Sequence, residues 1–321
     1  MEIKIIQPDD INLYQALATI NGSIFNDIKW IKKFGKDIEL FGIYNNDNKL
    51  IGGFYIYIEK IYGFKFYKDP PFTPSIGLFF QNQAINNSNY LSYEKEIFSL
   101  VCNFIKQLPF SVLRISIPVN FTDLQHFIWQ KFKVIPNYTY LINLDLKEEE
   151  LNRNLSPKLR NNIKKAISDK IIVEQINDYN IVKQHIIATY SRQKIKINYT
   201  ILNEILFGFS DNSNSFSFLA SQDGIPLSVV FCVYDKNKAY YLFGGYNDAS
   251  KHEGAGCLAL WEAIRYSKSL GIKYFDLEGS MVPRIEKFFR GFGGVLTPYF
   301  TINRASLPLE MILKFIKREI Y

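Results

Sequence analysis

Cysteine and histidine are both scarce, three of each in 321 residues. Cys102, Cys232 and Cys257 share no CxxC spacing and leave an odd one over, so neither a disulfide framework nor a thiolate zinc site is expected. His126, His185 and His252 form no HxH or HxxxH pair, so no metal is expected. No apolar run approaches the ~20 residues that a bilayer-crossing helix needs. The first residues, Met1–Tyr14, lack the basic stretch and long apolar core of a secretory signal, and a cytoplasmic location is the expectation. What is present is a core-forming composition. At 47% hydrophobic and 21% charged, the chain is not of the class that stays disordered. The formal charge of +7 suits an anionic partner. Because Ile, Lys, Asn, Tyr and Phe are abundant together, a solvated basic surface is favoured over a nucleic-acid footprint, and DNA is not an expected partner.

The order of periodicities repeats once. In the first half, strand patterns at Ile3–Ile6, Ile38–Tyr44, Leu50–Ile58, Phe64–Tyr67, Ile76–Phe80, Val112–Ile117 and Tyr138–Leu144 are interleaved with helical patterns. The helical ones start near Asp10, surround Trp30, and cover Tyr90–Gln107 and Thr122–Phe132. In the second half, strands at Ile171–Glu174, Phe216–Ala220, Pro226–Tyr234, Ala239–Gly244, Lys273–Leu277 and Tyr299–Asn303 alternate with helices near 181–191, 200–207, 253–270 and 284–290. Asp223-Gly224 is a hairpin signal, Ser156-Pro157 a helix start and Gly271 a helix stop. The expected fold class is mixed α/β. Two similar domains, residues 1–150 and 151–321, are each expected to carry a mixed, mostly antiparallel sheet flanked by helices.

The segment richest in chemistry runs from Gly244-Gly245-Tyr246 at a strand end, through Lys251 and His252, to Gly254-Ala255-Gly256 at the start of a long helix. Amides at a helix start lack intrahelical partners, and with the positive end of the dipole they form an anion site. Lys251 adds charge at its rim. Lys251-x-x-Gly254-x-Gly256 resembles the coenzyme A pyrophosphate loop of the GNAT acetyltransferases, with lysine in place of the usual glutamine or arginine.

Further motifs narrow the resemblance. Leu155-Ser156-x-x-x-Arg160-x-x-Ile163-x-x-Ala166, Leu260-Trp261-x-Ala263-Ile264, Phe275-Asp276-Leu277-Glu278-Gly279 and Glu286-Lys287-Phe288-Phe289-Arg290-Gly291-Phe292-Gly293-Gly294 are similar to the Fem-type branch of that superfamily, which includes BioF2-like acetyltransferases and the enzymes that add amino acids to peptidoglycan precursors. The resemblance implies two tandem GNAT-like domains and an acyltransferase. It implies acyl-CoA as donor, with aminoacyl-tRNA as the other candidate, and a cell-envelope precursor or small molecule as acceptor. The long helical arm common in members that use aminoacyl-tRNA has no counterpart in this sequence, which weighs against tRNA as a partner and leaves acyl-CoA as a real candidate donor. The first half lacks the glycine loop, so it is expected to shape the acceptor site and the second half to hold the donor.

Asp276 and Glu278 lie two apart on a strand and share a face. They are the candidate catalytic carboxylates, able to take a proton from an acceptor amine; an ion pair with Arg284, Lys287 or Arg290 is the equal alternative. Phe72 and Thr73, after Pro70-Pro71, and the basic Arg284 and Lys287 are the candidate acceptor-binding residues, lining a cleft between the halves. Tyr246 and Asp248 are candidates for lining the acyl pocket. Cys257 is read as packing rather than as a nucleophile. The last stretch, Leu307–Tyr321, suits either contact with a membrane surface or docking on its own domain, and docking is favoured. The competing functional class is a non-catalytic ligand-binding protein that retains the fold.

Overall fold

The structure is a computed structural model and describes residues 1–247, 249, 251–279 and 281–316. Asp248, an expected pocket residue, and residues 317–321 lie outside them. Among the described residues the strands are β1 (Glu2–Ile5), β2 (Ile38–Tyr44), β3 (Leu50–Ile61), β4 (Phe64–Lys68), β5 (Phe79–Phe80), β6 (Val112–Ile117), β7 (Lys133–Asn143), β8 (Ile172–Ile176), β9 (Ser215–Gln222), β10 (Ile225–Tyr234), β11 (Lys238–Tyr246), β12 (Tyr274–Asp276) and β13 (Val295–Ala305). The chain divides into two units, one of Met1–Asn137 with Pro298–Tyr321, the other of Tyr138–Thr297.

In the first unit β1, β2, β3 and β4 pair antiparallel in that order, and β4 then runs parallel to β6. The sixth strand is β13, antiparallel to β6 with Ile302 opposite Ile115. The core gathers the inward side chains of these strands with the apolar stripe Ile97, Phe98, Val101 and Ile105 of the helix Asn87–Gln107. That stripe has the three- and four-residue spacing of a helix that buries one face.

The second unit repeats the scheme. Asp223 and Gly224 take left-handed φ of 51° and 77°, as a two-residue hairpin requires, and join β9 to β10. β8, β9, β10 and β11 pair antiparallel, and β11 runs parallel to β12. The sixth strand is β7, antiparallel to β12 with Phe275 opposite Ile142. Thus Tyr138–Leu144, expected to close the first half, closes the second unit. Tyr299–Asn303, expected to close the second half, lies in the first. The chain changes unit at Asn137/Tyr138 and Thr297/Pro298, where the sequence reading placed one boundary near residue 150. The alternation along either strand does not say which sheet edge it will join.

Two helices of the second unit position the site. Pro157–Ser168 is capped as expected, with the Ser156 hydroxyl accepting from the Leu159 amide at 3.3 Å and Pro157 in its first turn. Ala255–Ser269 buries Leu258, Leu260, Trp261 and Ile264, each worth roughly 2 kcal/mol in burial. Gly271, with φ 76°, follows its end. The helix Leu307–Ile316 of the first unit has no fully buried residue; Leu309, Glu310 and Leu313 are half-buried.

Candidate functional site

The site begins with a defect in β11. Phe231 of β10 faces Phe243 and the next residue, Cys232, faces Tyr241, so Leu242 is an extra residue, a β-bulge. A bulge bends its strand and increases the local twist. The parallel pairing of β11 with β12 covers only Lys238, Ala239 and Tyr240. Beyond it, from Tyr241 to Tyr246, that edge of β11 has no partner strand among the described residues. An unpaired strand edge offers alternating amides and carbonyls to any extended ligand that carries amide groups.

Gly244 and Gly245 stand on this free stretch, and both also answer to packing. A Cβ on Gly245 would come within 2.6 Å of the His185 backbone in the helix Tyr179–Arg192; one on Gly244 would coincide with the Tyr241 hydroxyl. Tyr246 is exposed, and the Arg192 guanidinium lies 3.7 Å from its ring centroid. Arg192 is a cation beside the site that the sequence reading missed, because it lies 54 residues upstream on another element.

At the start of Ala255–Ser269 the two loop glycines do different things. A Cβ on Gly254 would lie 2.2 Å from the Asn162 carbonyl oxygen and 2.9 Å from the Ala166 Cβ, so this glycine lets the helix Pro157–Ser168 approach closely. On Gly256 a Cβ would meet only the Ser228 hydroxyl, at 3.3 Å. His252 caps the helix. Its Nδ1 accepts from the Gly254 amide at 3.1 Å and its Nε2 lies 3.0 Å from Asp169 Oδ2. The Ala255 amide donates to the His252 carbonyl. The amides of Gly256 and Cys257 have no backbone acceptor among the described residues, that of Cys257 meeting only its own Sγ, so two donors without a backbone partner stand at the positive end of a 15-residue helix. Lys251 is exposed nearby in the chain.

Burial pushes the Cys257 thiol above its usual range, and its Sγ–H donates to the Glu253 carbonyl at 3.5 Å. A protonated, buried thiol is packing, not a nucleophile.

The carboxylates sit where β12 ends. Asp276 is 5% exposed; its Oδ1 accepts from the Thr139 hydroxyl at 2.5 Å and from the Glu278 amide at 3.0 Å, and its Oδ2 is 3.7 Å from Lys238 Nζ. Glu278 and Gly279 both take left-handed φ, 58° and 62°. For a non-glycine residue this stores on the order of 1–2 kcal/mol of strain. Gly279 packs so closely on Tyr138 that a Cβ would lie 2.2 Å from its carbonyl oxygen. In this turn Glu278 Oε1 is sealed from solvent and accepts no hydrogen bond from the described residues. Burial first, and then the charge of Asp276, push the Glu278 carboxyl well above the usual carboxylate range, with Lys238 opposing.

The cation next to the pair is therefore Lys238, not Arg284, Lys287 or Arg290. Arg290 pairs with Glu286 at 3.0 Å, and Glu286 also accepts from the Tyr140 hydroxyl. Arg284 and Lys287 are exposed and make no ion pair among the described residues. In the first unit, Phe72 takes φ 59° in the turn after Pro70-Pro71. Thr73 is buried, accepts from the Trp30 indole at 3.1 Å and donates to the Pro71 carbonyl, so its hydroxyl is committed inside that unit.

Comparison with known proteins bears on the fold. Residues 202–283 match the acetyltransferase (GNAT) domain family, a window that holds β9 to β12 and the helix start between them. The structure of FemX is similar over 98% of this chain and 100% of its own, with a TM-score of 0.70 at 13% identity. The C-terminal domain of a protein described as a lysylphosphatidylglycerol synthetase from Agrobacterium fabrum is similar over 95% of each chain, with a TM-score of 0.59 at 10% identity. L-PGS from Bacillus licheniformis is similar over 99% of this chain and 98% of its own, with a TM-score of 0.55 at 13% identity. No curated protein sequence matches the chain. The chain has the fold of the Fem-type, GNAT-like group.

Proposed function

We propose that the protein is an acyltransferase whose second unit binds the donor along the free edge of β11, with the donor's phosphates on the amides of Gly256 and Cys257. The observation that carries this reading is the pairing of an open strand edge with two amides at a helix start that have no backbone partner. Acyl-CoA fits both parts, since its pantetheine arm carries amides and its pyrophosphate is an anion. Aminoacyl-tRNA is the second donor class; one of the similar structures is named for the synthesis of lysylphosphatidylglycerol, an aminoacyl ester.

The acceptor's amine or hydroxyl attacks the donor carbonyl. A C–N or C–O bond forms, the bond to the thiol or tRNA oxygen breaks, and Glu278 takes the acceptor's proton. A carboxyl with raised proton affinity is a stronger base once ionised than an exposed one. Asp276 holds the turn through the Glu278 amide, and Thr139 and Lys238 hold Asp276. The acceptor is a small molecule or a cell-envelope precursor.

The donor test is calorimetric. Gly256→Val should weaken coenzyme A binding at least about tenfold, because a branched side chain on a Cβ that already meets the Ser228 hydroxyl at 3.3 Å pushes the helix start, and with it the two amides, away from β10, while far-ultraviolet dichroism stays that of the wild type. Unchanged affinity in the folded variant would rule out this donor site. A second expectation concerns the acceptor. Exposed Arg284 and Lys287 suit one that bears phosphate or carboxylate. Lys287→Ala should raise the acceptor KM several-fold and leave donor affinity alone; a change in kcat without a change in KM would count against that role.

A further inference from the structure

The helix Leu307–Ile316 shows its apolar side to solvent. Leu309, Glu310 and Leu313 are its half-buried residues. At 100° per residue, Leu307, Met311, Ile312, Phe315 and Ile316 occupy about half of the circumference on the opposite side. Leu307 is 81%, Phe315 93% and Ile316 71% exposed. Scattered exposed apolar residues are ordinary, but a continuous arc of them along one helix marks an interaction surface.

The surroundings indicate what covers it. Beside the helix is a cavity of about 320 Å³ whose lining includes Lys131, Lys133, Arg304 and Lys314, with Glu310 the one acidic group among the described lining residues. Glu310 is already paired with Lys314 at 2.7 Å. Ile128, 55% exposed, adds an apolar side chain at the cavity wall. An apolar arc bordered by excess positive charge is the pattern of a helix lying in the headgroup–acyl boundary of an anionic bilayer. A second copy of the chain fits worse, since a two-fold contact would bring the same basic lining against itself.

We propose that this face of the first unit is a membrane-docking surface. The apolar arc of Leu307–Ile316 enters the interfacial layer, and the positively charged cavity lining around Lys131 and Arg304 meets the phosphates of anionic lipids. The proposal does not depend on which acyl donor is used, or on whether the second unit is catalytic.

The test uses the full chain and sedimentation with lipid vesicles. The protein should pellet with phosphatidylcholine vesicles containing about 30% phosphatidylglycerol, and much less with phosphatidylcholine alone. The double change Met311→Glu and Phe315→Glu should weaken partitioning at least about tenfold, since it removes the inserted side chains. Lys131→Ala should weaken it about fivefold, an effect that about 0.5 M salt abolishes. Met311 and Phe315 are exposed, so the melting temperature should not change; Phe315→Gln alone serves if the double variant misfolds. Three results would overturn the proposal: equal absence of wild type from both vesicle pellets, unchanged partitioning of the double variant, or a wild-type dimer in light scattering that becomes monomeric in the double variant without vesicle binding.

Discussion

Gly254→Ala should destabilise the second unit by about 3 kcal/mol, the upper end of ordinary overpacking, whereas Gly256→Ala should cost under about 1 kcal/mol. The two glycines stand two residues apart in one loop, yet their surroundings differ. The Cβ of an alanine at 254 would meet a backbone oxygen, that of Asn162, at 2.2 Å. A backbone atom cannot rotate away, so the helix Pro157–Ser168 would have to move off Ala255–Ser269, with loss of contacts around Ala166 and Leu258. At 256 the neighbour is the Ser228 hydroxyl at 3.3 Å, which needs to yield only a few tenths of an ångström. Denaturant titration of both variants, read by tryptophan fluorescence and dichroism, checks this. Equal losses at the two positions, or the larger loss at 256, would contradict the packing role of Gly254.

Glu278→Gln should lower the turnover rate by a factor of about 10² to 10³, the usual contribution of a positioned base, and should change stability in a pH-dependent way. The folded protein holds the Glu278 proton more tightly than the unfolded chain does, because burial and Asp276 both disfavour its charge. The native state thus binds the extra proton between the unfolded and the folded titration ranges. The group's favourable contribution is complete below the ordinary carboxylate range and is lost as pH rises through the raised folded value. Glutamine resembles the protonated acid in shape and cannot ionise. The melting temperature of Glu278→Gln should match the wild type in acid and exceed it increasingly as pH rises. A difference that is constant with pH, or that favours the wild type in base, would mean that Glu278 is not held as described.

Much of this was legible in local sequence. Ser156-Pro157 and Gly271 mark helix ends because capping is decided by one or two residues. Asp223-Gly224 marks a hairpin because few residue pairs tolerate its backbone. The strand order of each unit was not legible. β7 and β13 carry similar alternation, and which edge each joins is decided by pairing with residues more than 100 positions away. The Asp276–Lys238 contact was hidden for the same reason: parallel pairing of β11 with β12 brings together residues separated by a whole helix. The bulge at Leu242 left no turn residue to read, and the left-handed turn at Glu278 was masked by a side chain that rarely adopts it. Gly254 illustrates a different limit, since a glycine kept for a ligand and one kept for a neighbouring helix look the same in a sequence.

Hydrogen exchange with and without acetyl-CoA is the most direct measurement of the donor site. Amide protection reports on each backbone donor separately, and the site is built from backbone donors. Slowed exchange is expected at Gly256 and Cys257 and along Tyr241–Tyr246, with little change in β1 to β6 of the first unit. Protection confined to the first unit, or none at Gly256 and Cys257 with the ligand bound, would contradict a donor site in the second unit.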